Sequence, residues 1–119
     1  ATRAATELAR TFGVQDRVRF AQGVLGESSI PPADAYYLFN PFGENLFEES
    51  DRLDDDVVLS EARYERDVAA TQALLRAAPV RTYVVTYNGF GGSVPALYEE
   101  LRTELLLPNP LRLFRKRAP

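Results

Sequence analysis

The sequence predicts an α/β domain in which a mostly parallel sheet is flanked by helices. Helical and strand-like patterns alternate along the chain, which favours this architecture. The run Ala35–Phe39 is apolar on both faces, as expected of a strand in the middle of a parallel sheet. A chain of 119 residues can bury one core. We therefore expect one partial domain over residues 1–119.

The first half of the chain contains one predicted helix and two predicted strands. Apolar residues at helical spacing predict an amphipathic helix over Thr2–Phe12, and Gly13 is placed to end it with a left-handed cap. The alternation in Arg17–Ala21 predicts a short strand, and Ala35–Phe39 is the second strand. Residues 43–59 are acidic and weakly patterned, which predicts a solvated linker or an irregular helix.

The second half contains two predicted helices and two predicted strands. Ser60 is a candidate N-cap for a helix that stops before Pro79. Val80–Tyr87 predicts another buried strand. Leucine spacing predicts a helix over Ala96–Leu106, and Leu111–Arg115 then alternates as a final strand at or near a sheet edge.

Composition excludes several kinds of chemistry. The chain has no cysteine and no histidine, so it carries no disulfide, thiol nucleophile, imidazole base or zinc ligand set of those residues. A net charge of −3 makes nucleic acid an unlikely partner. The basic cluster Arg112, Arg115, Lys116 and Arg117 is interpreted as a solvated chain end. Without a spanning apolar stretch or a basic-then-apolar leader, we expect a cytoplasmic protein with no membrane partner.

No metal site is predicted. The acidic run Asp51–Asp56 offers carboxylates, which suit magnesium or calcium. It lacks the alternating spacing and the bidentate glutamate of a calcium loop, so a solvated face is preferred.

Two loops that follow predicted strands are candidates for ligand contact, because open α/β sheets bind ligands at the carboxyl ends of their strands. Asn40-Pro41-Phe42-Gly43 follows one strand, and a ligand-contacting role and a simple turn are equally supported there. Asn88–Ser93 lies between a strand and a predicted helix, where backbone N–H groups can cradle an anion. Val94 stands where a dinucleotide fingerprint needs its third glycine, which favours a plain turn.

Three segments in order resemble strands three, four and five of class I S-adenosylmethionine-dependent methyltransferases. They are Arg17-Val18-Arg19-Phe20-Ala21-Gln22-Gly23, Ala33-Asp34-Ala35-Tyr36-Tyr37-Leu38-Phe39-Asn40-Pro41-Phe42 and Thr82-Tyr83-Val84-Val85-Thr86-Tyr87-Asn88. The resemblance implies a Rossmann-like three-layer domain that binds S-adenosyl-L-methionine. It covers nearly the whole chain and corresponds to the carboxyl-terminal part of the family.

On the cofactor side, the resemblance implies that the adenine lies over Gly23, Val24 and Leu25. Gly23 matches the glycine after strand three, whereas Val24 stands where the family has an adenine-contacting aspartate. That substitution loses one polar contact to the cofactor. The family's glycine-rich first loop and the acid that ends strand two both precede the helix that opens this chain.

On the acceptor side, Asn40, Pro41 and Phe42 resemble the Asn-Pro-Pro-Phe/Tyr signature of amino-group methyltransferases, with one proline missing. The resemblance makes Asn40 the catalytic residue, in contact with both cofactor and acceptor. It makes Pro41, Phe42 and Asn88 the substrate-binding residues. The missing proline leaves amine specificity unsupported, so the acceptor is unknown and a small molecule is one option.

The resemblance implies methyl transfer by direct displacement, helped chiefly by positioning. We expect the parent protein to be the methyltransferase and this chain alone, as a fragment, to bind the cofactor weakly or not at all and to be inactive. One alternative is a non-catalytic, degenerate methyltransferase-fold interaction domain, and another is a nucleotide- or phosphate-binding α/β domain. Exposed strand edges predict pairing with a second copy or with the missing amino-terminal part.

Overall fold

The computed structural model describes residues 2–21, 23, 25, 30–42, 60–106 and 108–119. The predicted acidic linker 43–59, which contains the run Asp51–Asp56, lies outside the described residues, as does Val24. The described elements are, in chain order, α1 (Thr2–Thr11), β1 (Ala35–Phe39), α2 (Glu61–Ala77), β2 (Tyr83–Tyr87), β3 (Tyr98–Leu106) and β4 (Asn109–Lys116).

The four strands form one mixed sheet in the order β1-β2-β4-β3. Only β1 and β2 pair in parallel, whereas β4 is antiparallel to both β2 and β3. The predicted Rossmann-like three-layer domain with a mostly parallel sheet is therefore wrong: the described residues form a small mixed sheet with two helices. The structure departs from the predicted architecture after β2. The chain there forms the β3–β4 hairpin, where a helical crossover was expected.

The predicted helix over Ala96–Leu106 is a strand, β3. A short connection at Pro108 turns β3 back into β4, with Leu106 paired to Asn109. Pro108 therefore lies in a hairpin turn and does not end a helix. Pairing with β4 outweighs the helical spacing of the leucines, because local propensity yields to tertiary context. Leu105 is consequently 82% exposed, whereas the predicted helix would have buried it.

The predicted strand over Arg17–Ala21 is also absent from the structure. Arg17 closes a turn by donating its N–H to the carbonyl of Val14 (2.9 Å), and residues 18–21 have no strand assignment. Val18 and Phe20 instead line a concavity of about 230 Å³ with apolar residues of α1. The alternating pattern thus reflects a local apolar cluster and not a sheet.

The α1 helix agrees with its prediction and ends at a glycine cap. Gly13 has φ of 67°, its N–H donates to Arg10 (3.0 Å), and the N–H of Val14 donates to Ala9 (3.0 Å). These two bonds form a Schellman motif. Ala9 is buried, whereas Leu8 and Phe12 are largely exposed.

The β1 strand forms as predicted, but it lies at the end of the sheet and not in its middle. Its side chains alternate, with Tyr36 and Leu38 half-buried and Ala35, Tyr37 and Phe39 exposed. The apolar run is therefore covered on one face only. We call the face opposite α2 the open face; its apolar and aromatic residues are Ala35, Tyr37, Phe39, Tyr83, Val85, Tyr87, Leu111 and Leu113.

The core lies between the sheet and α2. Ser60 begins the helix, its hydroxyl accepting from the N–H of Arg63 (3.1 Å), as predicted for an N-cap. Leu75 is fully buried from the helix and Val84 from β2. The core is completed by Phe90 and Tyr98, with Tyr36, Leu38, Val68, Val94 and Phe114 packed around it.

Lys116 joins the end of β4 to the end of α2. Its ammonium donates to the carbonyls of Arg76 (2.6 Å) and Ala78 (2.7 Å), and it lies 5.8 Å from the ring centroid of Tyr98. The residue is 6% exposed. A cation placed there satisfies carbonyls at the negative end of the helix dipole.

Candidate functional site

Two asparagines stand side by side at the carboxyl end of the parallel strands. Phe39 pairs with Tyr87, so Asn40 and Asn88 follow at the same level of adjacent strands. Neighbouring strands lie about 5 Å apart, which brings the two residues close together. The structure thus brings together Asn40 and Asn88, two of the predicted site residues.

The loops that carry these asparagines are tied to each other and to β4. The N–H of Asn40 donates to the carbonyl of Gly89 (2.9 Å), and the N–H of Asn88 donates to the carbonyl of Pro110 (3.2 Å). The first bond links the two loops directly, and the second links the Asn88 loop to β4. The two asparagines therefore lie where β1, β2 and β4 are joined by backbone hydrogen bonds.

Both asparagines have left-handed backbone conformations, with φ of 35° for Asn40 and 57° for Asn88. Asparagine is the non-glycine residue that tolerates this region best, so a tight turn alone explains the residue type. Both residues are exposed, which leaves their carboxamides accessible to a ligand. Pro41 is also exposed, and Phe42 is half-buried.

The chemistry available at this pair is orientation by hydrogen bonding. Each carboxamide offers one accepting oxygen and two donating N–H bonds, and it neither takes up nor releases a proton near neutral pH. The pair can therefore hold an amine, amide or hydroxyl group in a fixed direction. General acid–base catalysis is beyond these two side chains.

An aromatic pair that the sequence did not single out lies directly beside the asparagines. The rings of Phe39 and Tyr87 have centroids 5.0 Å apart and planes inclined by 40°. Both belong to the open face, and Phe39 is 56% exposed. The parallel register of β1 and β2 is the signal that would have paired them, and it is not readable from either strand alone.

The residues predicted for the cofactor side, Gly23, Val24 and Leu25, are described only in part. Gly23 is exposed, Leu25 is half-buried and takes part in a single β-bridge, and the strand predicted over Arg17–Ala21 does not form. No described hydrogen bond joins either residue to Asn40. Val24 lies outside the described residues, so the S-adenosyl-L-methionine site over Gly23, Val24 and Leu25 stays a prediction, and we derive no step through that cofactor.

The glycine-rich loop after β2 packs against α2. Phe90 is buried in the core, and a Cβ at Gly91 would overlap the hydroxyl end of Tyr64. The side-chain amide of Gln72 donates to the carbonyl of Ser93 (3.0 Å). The loop then leads into β3, so no helix N-terminus follows it. The geometry that would support a phosphate site is therefore missing here.

The open face contains a shallow concavity of about 240 Å³ between β2, β3 and β4. Val85, Leu111 and Leu113 form its apolar floor, while charged side chains of Arg102 and Glu104 line it. The alternation in the last strand places these leucines on one face, which is how sequence could have found the surface.

The basic cluster near the end of the chain is largely engaged within the sheet. Arg115 pairs with Glu99 (3.2 Å) and Arg112 with Glu100 (3.7 Å), while Lys116 is buried. The interpretation of this cluster as a solvated chain end is therefore wrong for Lys116. Among the described residues, no group of three acidic residues is placed to hold a metal ion.

No family model, curated protein or solved structure matches this chain. In the part of the chain that the structure describes, neither helix is long and apolar enough to cross a membrane.

Proposed function

We propose that this chain provides the acceptor-binding side of an S-adenosylmethionine-dependent methyltransferase, with Asn40 and Asn88 orienting the methyl acceptor. The observation that carries the proposal is the exposed asparagine pair at the carboxyl end of the parallel strands, joined by the Asn40–Gly89 hydrogen bond. The residues of the resemblance, Asn40-Pro41-Phe42 and Asn88, fall within this one edge. Methyl transfer to a good nucleophile requires positioning more than proton transfer, which suits carboxamides.

The chain's own part in the reaction is to bind and direct the acceptor. The carboxamide oxygen of either asparagine can accept from an acceptor N–H or O–H, which turns the acceptor lone pair toward a fixed direction. The half-buried Phe42 and the Phe39–Tyr87 pair offer apolar and aromatic surface for the remainder of the molecule. S-adenosyl-L-methionine, when bound, supplies the methyl group.

Binding of small probes tests this proposal. We would titrate the protein with methylamine, benzamide and phenol and follow the side-chain amide resonances of Asn40 and Asn88 by NMR. At least one probe should shift both. Asn40→Gly preserves the left-handed backbone and removes the carboxamide, so it should weaken that probe about five- to tenfold, the value of one or two hydrogen bonds.

Gln15→Ala is the matched control, because it removes an exposed carboxamide from the turn after α1 and should leave probe affinity unchanged. Equal binding by wild type and Asn40→Gly would contradict the proposal. Calorimetry with S-adenosyl-L-methionine should show weak or no binding, because Val24 stands where the family has its adenine-contacting aspartate. Micromolar affinity would overturn that expectation.

A non-catalytic interaction domain is the second candidate, and the exposed strand β1 favours it. Tyr37 is 63% exposed and Phe39 56%, and no described strand covers the outer edge of β1. A second copy of the chain is a candidate partner for that edge. Failure of every probe at the asparagine pair would favour this candidate over methyl transfer.

A further inference from the structure

The two edge strands of the sheet, β1 and β3, differ in the features that prevent pairing with a strand of another molecule. The β3 edge contains Glu99, Glu100, Arg102 and Glu104, and a bulge interrupts its register between Glu100 and Arg102. Charges and bulges are the usual devices that prevent strands of two molecules from pairing. The β1 edge has the sequence Ala-Tyr-Tyr-Leu-Phe, with no charge, proline, glycine or bulge. Among the described strands, only β1 presents an unprotected edge.

The outward backbone groups of β1 can be identified from its bonds to β2. The carbonyl of Asp34 accepts from Tyr83 (3.0 Å), and the N–H of Asn40 donates to Gly89 (2.9 Å), so both residues direct these groups toward β2. Backbone N–H and C=O groups alternate sides along a strand. The groups that point away from β2 therefore belong to Ala35, Tyr37 and Phe39.

We infer that β1 pairs with β1 of a second copy, antiparallel and about a twofold axis at Tyr37, which joins two four-stranded sheets into one. In this register Tyr37 faces its own copy and Ala35 faces Phe39. All three are hydrogen-bonded pairs, which gives about six backbone bonds. The inference does not depend on methyl transfer.

The side chains of β1 suit this register. On the open face, small Ala35 lies opposite large Phe39 at each end, and the two Tyr37 rings meet at the centre. On the other face, Tyr36 lies opposite Leu38, an aromatic–aliphatic pair of the kind that stabilises sheets. Since β1 carries no charge, no like charges meet. A twofold interface needs a self-complementary surface, and this strand provides one.

Light scattering coupled to size exclusion tests the inference. The wild-type chain should elute with about twice its 13.3 kDa mass, in a concentration-dependent way. Tyr37→Lys and Tyr37→Glu each place like charges opposite each other at the axis, and each should weaken the dimer about tenfold or more. Circular dichroism of both variants should match wild type, because Tyr37 is 63% exposed in the single chain.

Mixing the two variants gives the decisive result. In a mixed dimer, lysine faces glutamate across the axis. With the Tyr37→Glu chain labelled with ¹⁵N to separate the masses, native mass spectrometry should show the heterodimer and little of either homodimer. Leu105→Lys is the control, since it adds the same charge to an exposed apolar position on the other edge strand and should leave the dimer intact. A monomeric wild type, or equal weakening by Leu105→Lys, would overturn the inference.

Discussion

Tyr98 lies between the sheet and α2, and its hydroxyl donates to the carbonyl of Leu75 (2.9 Å). Burial raises the pKa of Tyr98, and the nearby Tyr36 raises it further. Since the neutral phenol is preferred in the folded state, the resulting stability is present below the unfolded pKa near 10. It is lost as the pH rises through the folded pKa.

We expect the free energy of unfolding, measured with urea, to fall above about pH 10 in the wild type. Tyr98→Phe should be about 1 kcal/mol less stable at pH 7, because it loses the bond to Leu75, and its alkaline decline should be shallower. Tyr87→Phe retains the phenols of both Tyr98 and Tyr36 and serves as the control. A decline of equal steepness in Tyr98→Phe would show that another group controls the alkaline transition.

The sequence identifies Asn40 and Asn88 as candidate site residues, but it does not show that they lie side by side. Asn40 and Asn88 each follow an apolar strand, and that position suggested ligand contact. The hydrogen bond from Asn40 to Gly89 depends on the parallel register of β1 and β2, which joins residues 49 positions apart. No local pattern encodes such a register.

Among the elements, β1, α2, β2, β4 and α1 were predicted, and the two errors have a common origin. Local periodicity predicts a helix at 96–106 and a strand at 17–21. Pairing with β4 makes the first segment a strand, and apolar packing beside α1 holds the second as a loop. Acidic residues of β3 face basic residues of β4, as in the Glu99–Arg115 pair. Opposite charges on two segments joined by a short proline-containing turn are a hairpin signal that was available in the sequence.

The packing of the glycine loop against α2 predicts unequal effects at two glycines that share a left-handed backbone. Gly91 has φ of 91°, and a Cβ there would overlap Tyr64, whereas Gly13 has φ of 67° and open space around it. Gly13→Ala should cost about 1 kcal/mol, the backbone penalty alone. Gly91→Ala should cost about 2–4 kcal/mol, because the contact with Tyr64 adds to that penalty.

Chemical denaturation with urea compares these two variants directly, and circular dichroism checks that each still folds. Similar losses of stability would mean that the loop is not packed against α2 as described.

At the scale of the whole molecule, stability should be concentrated in the layer between the sheet and α2. Leu75 is fully buried there, whereas Leu8 of α1 is 59% exposed. Leu75→Ala should cost about 2–5 kcal/mol and Leu8→Ala less than about 0.5 kcal/mol, both measured by urea unfolding. Comparable losses would place a second core around α1, which the exposure of Leu8 argues against.

The fold class was the largest departure from the sequence prediction, since one hairpin changed a parallel sheet into a mixed one. A sheet of order β1-β2-β4-β3 has a hydrophobic edge at one end and a charged, bulged edge at the other. The apolar character of β1 predicts burial on both faces, whereas only one face is covered. The residues of a strand show how apolar it is. Which of its faces and edges stay exposed depends on the strands and helices that pack around it.

Lys116 is the chain's single lysine, and it is enclosed by helix-end carbonyls. Reagents that acylate amines therefore reach its ε-nitrogen only when β4 separates from α2. The acylation rate of Lys116 Nζ should therefore measure how often β4 separates from α2, without any label being introduced into the protein.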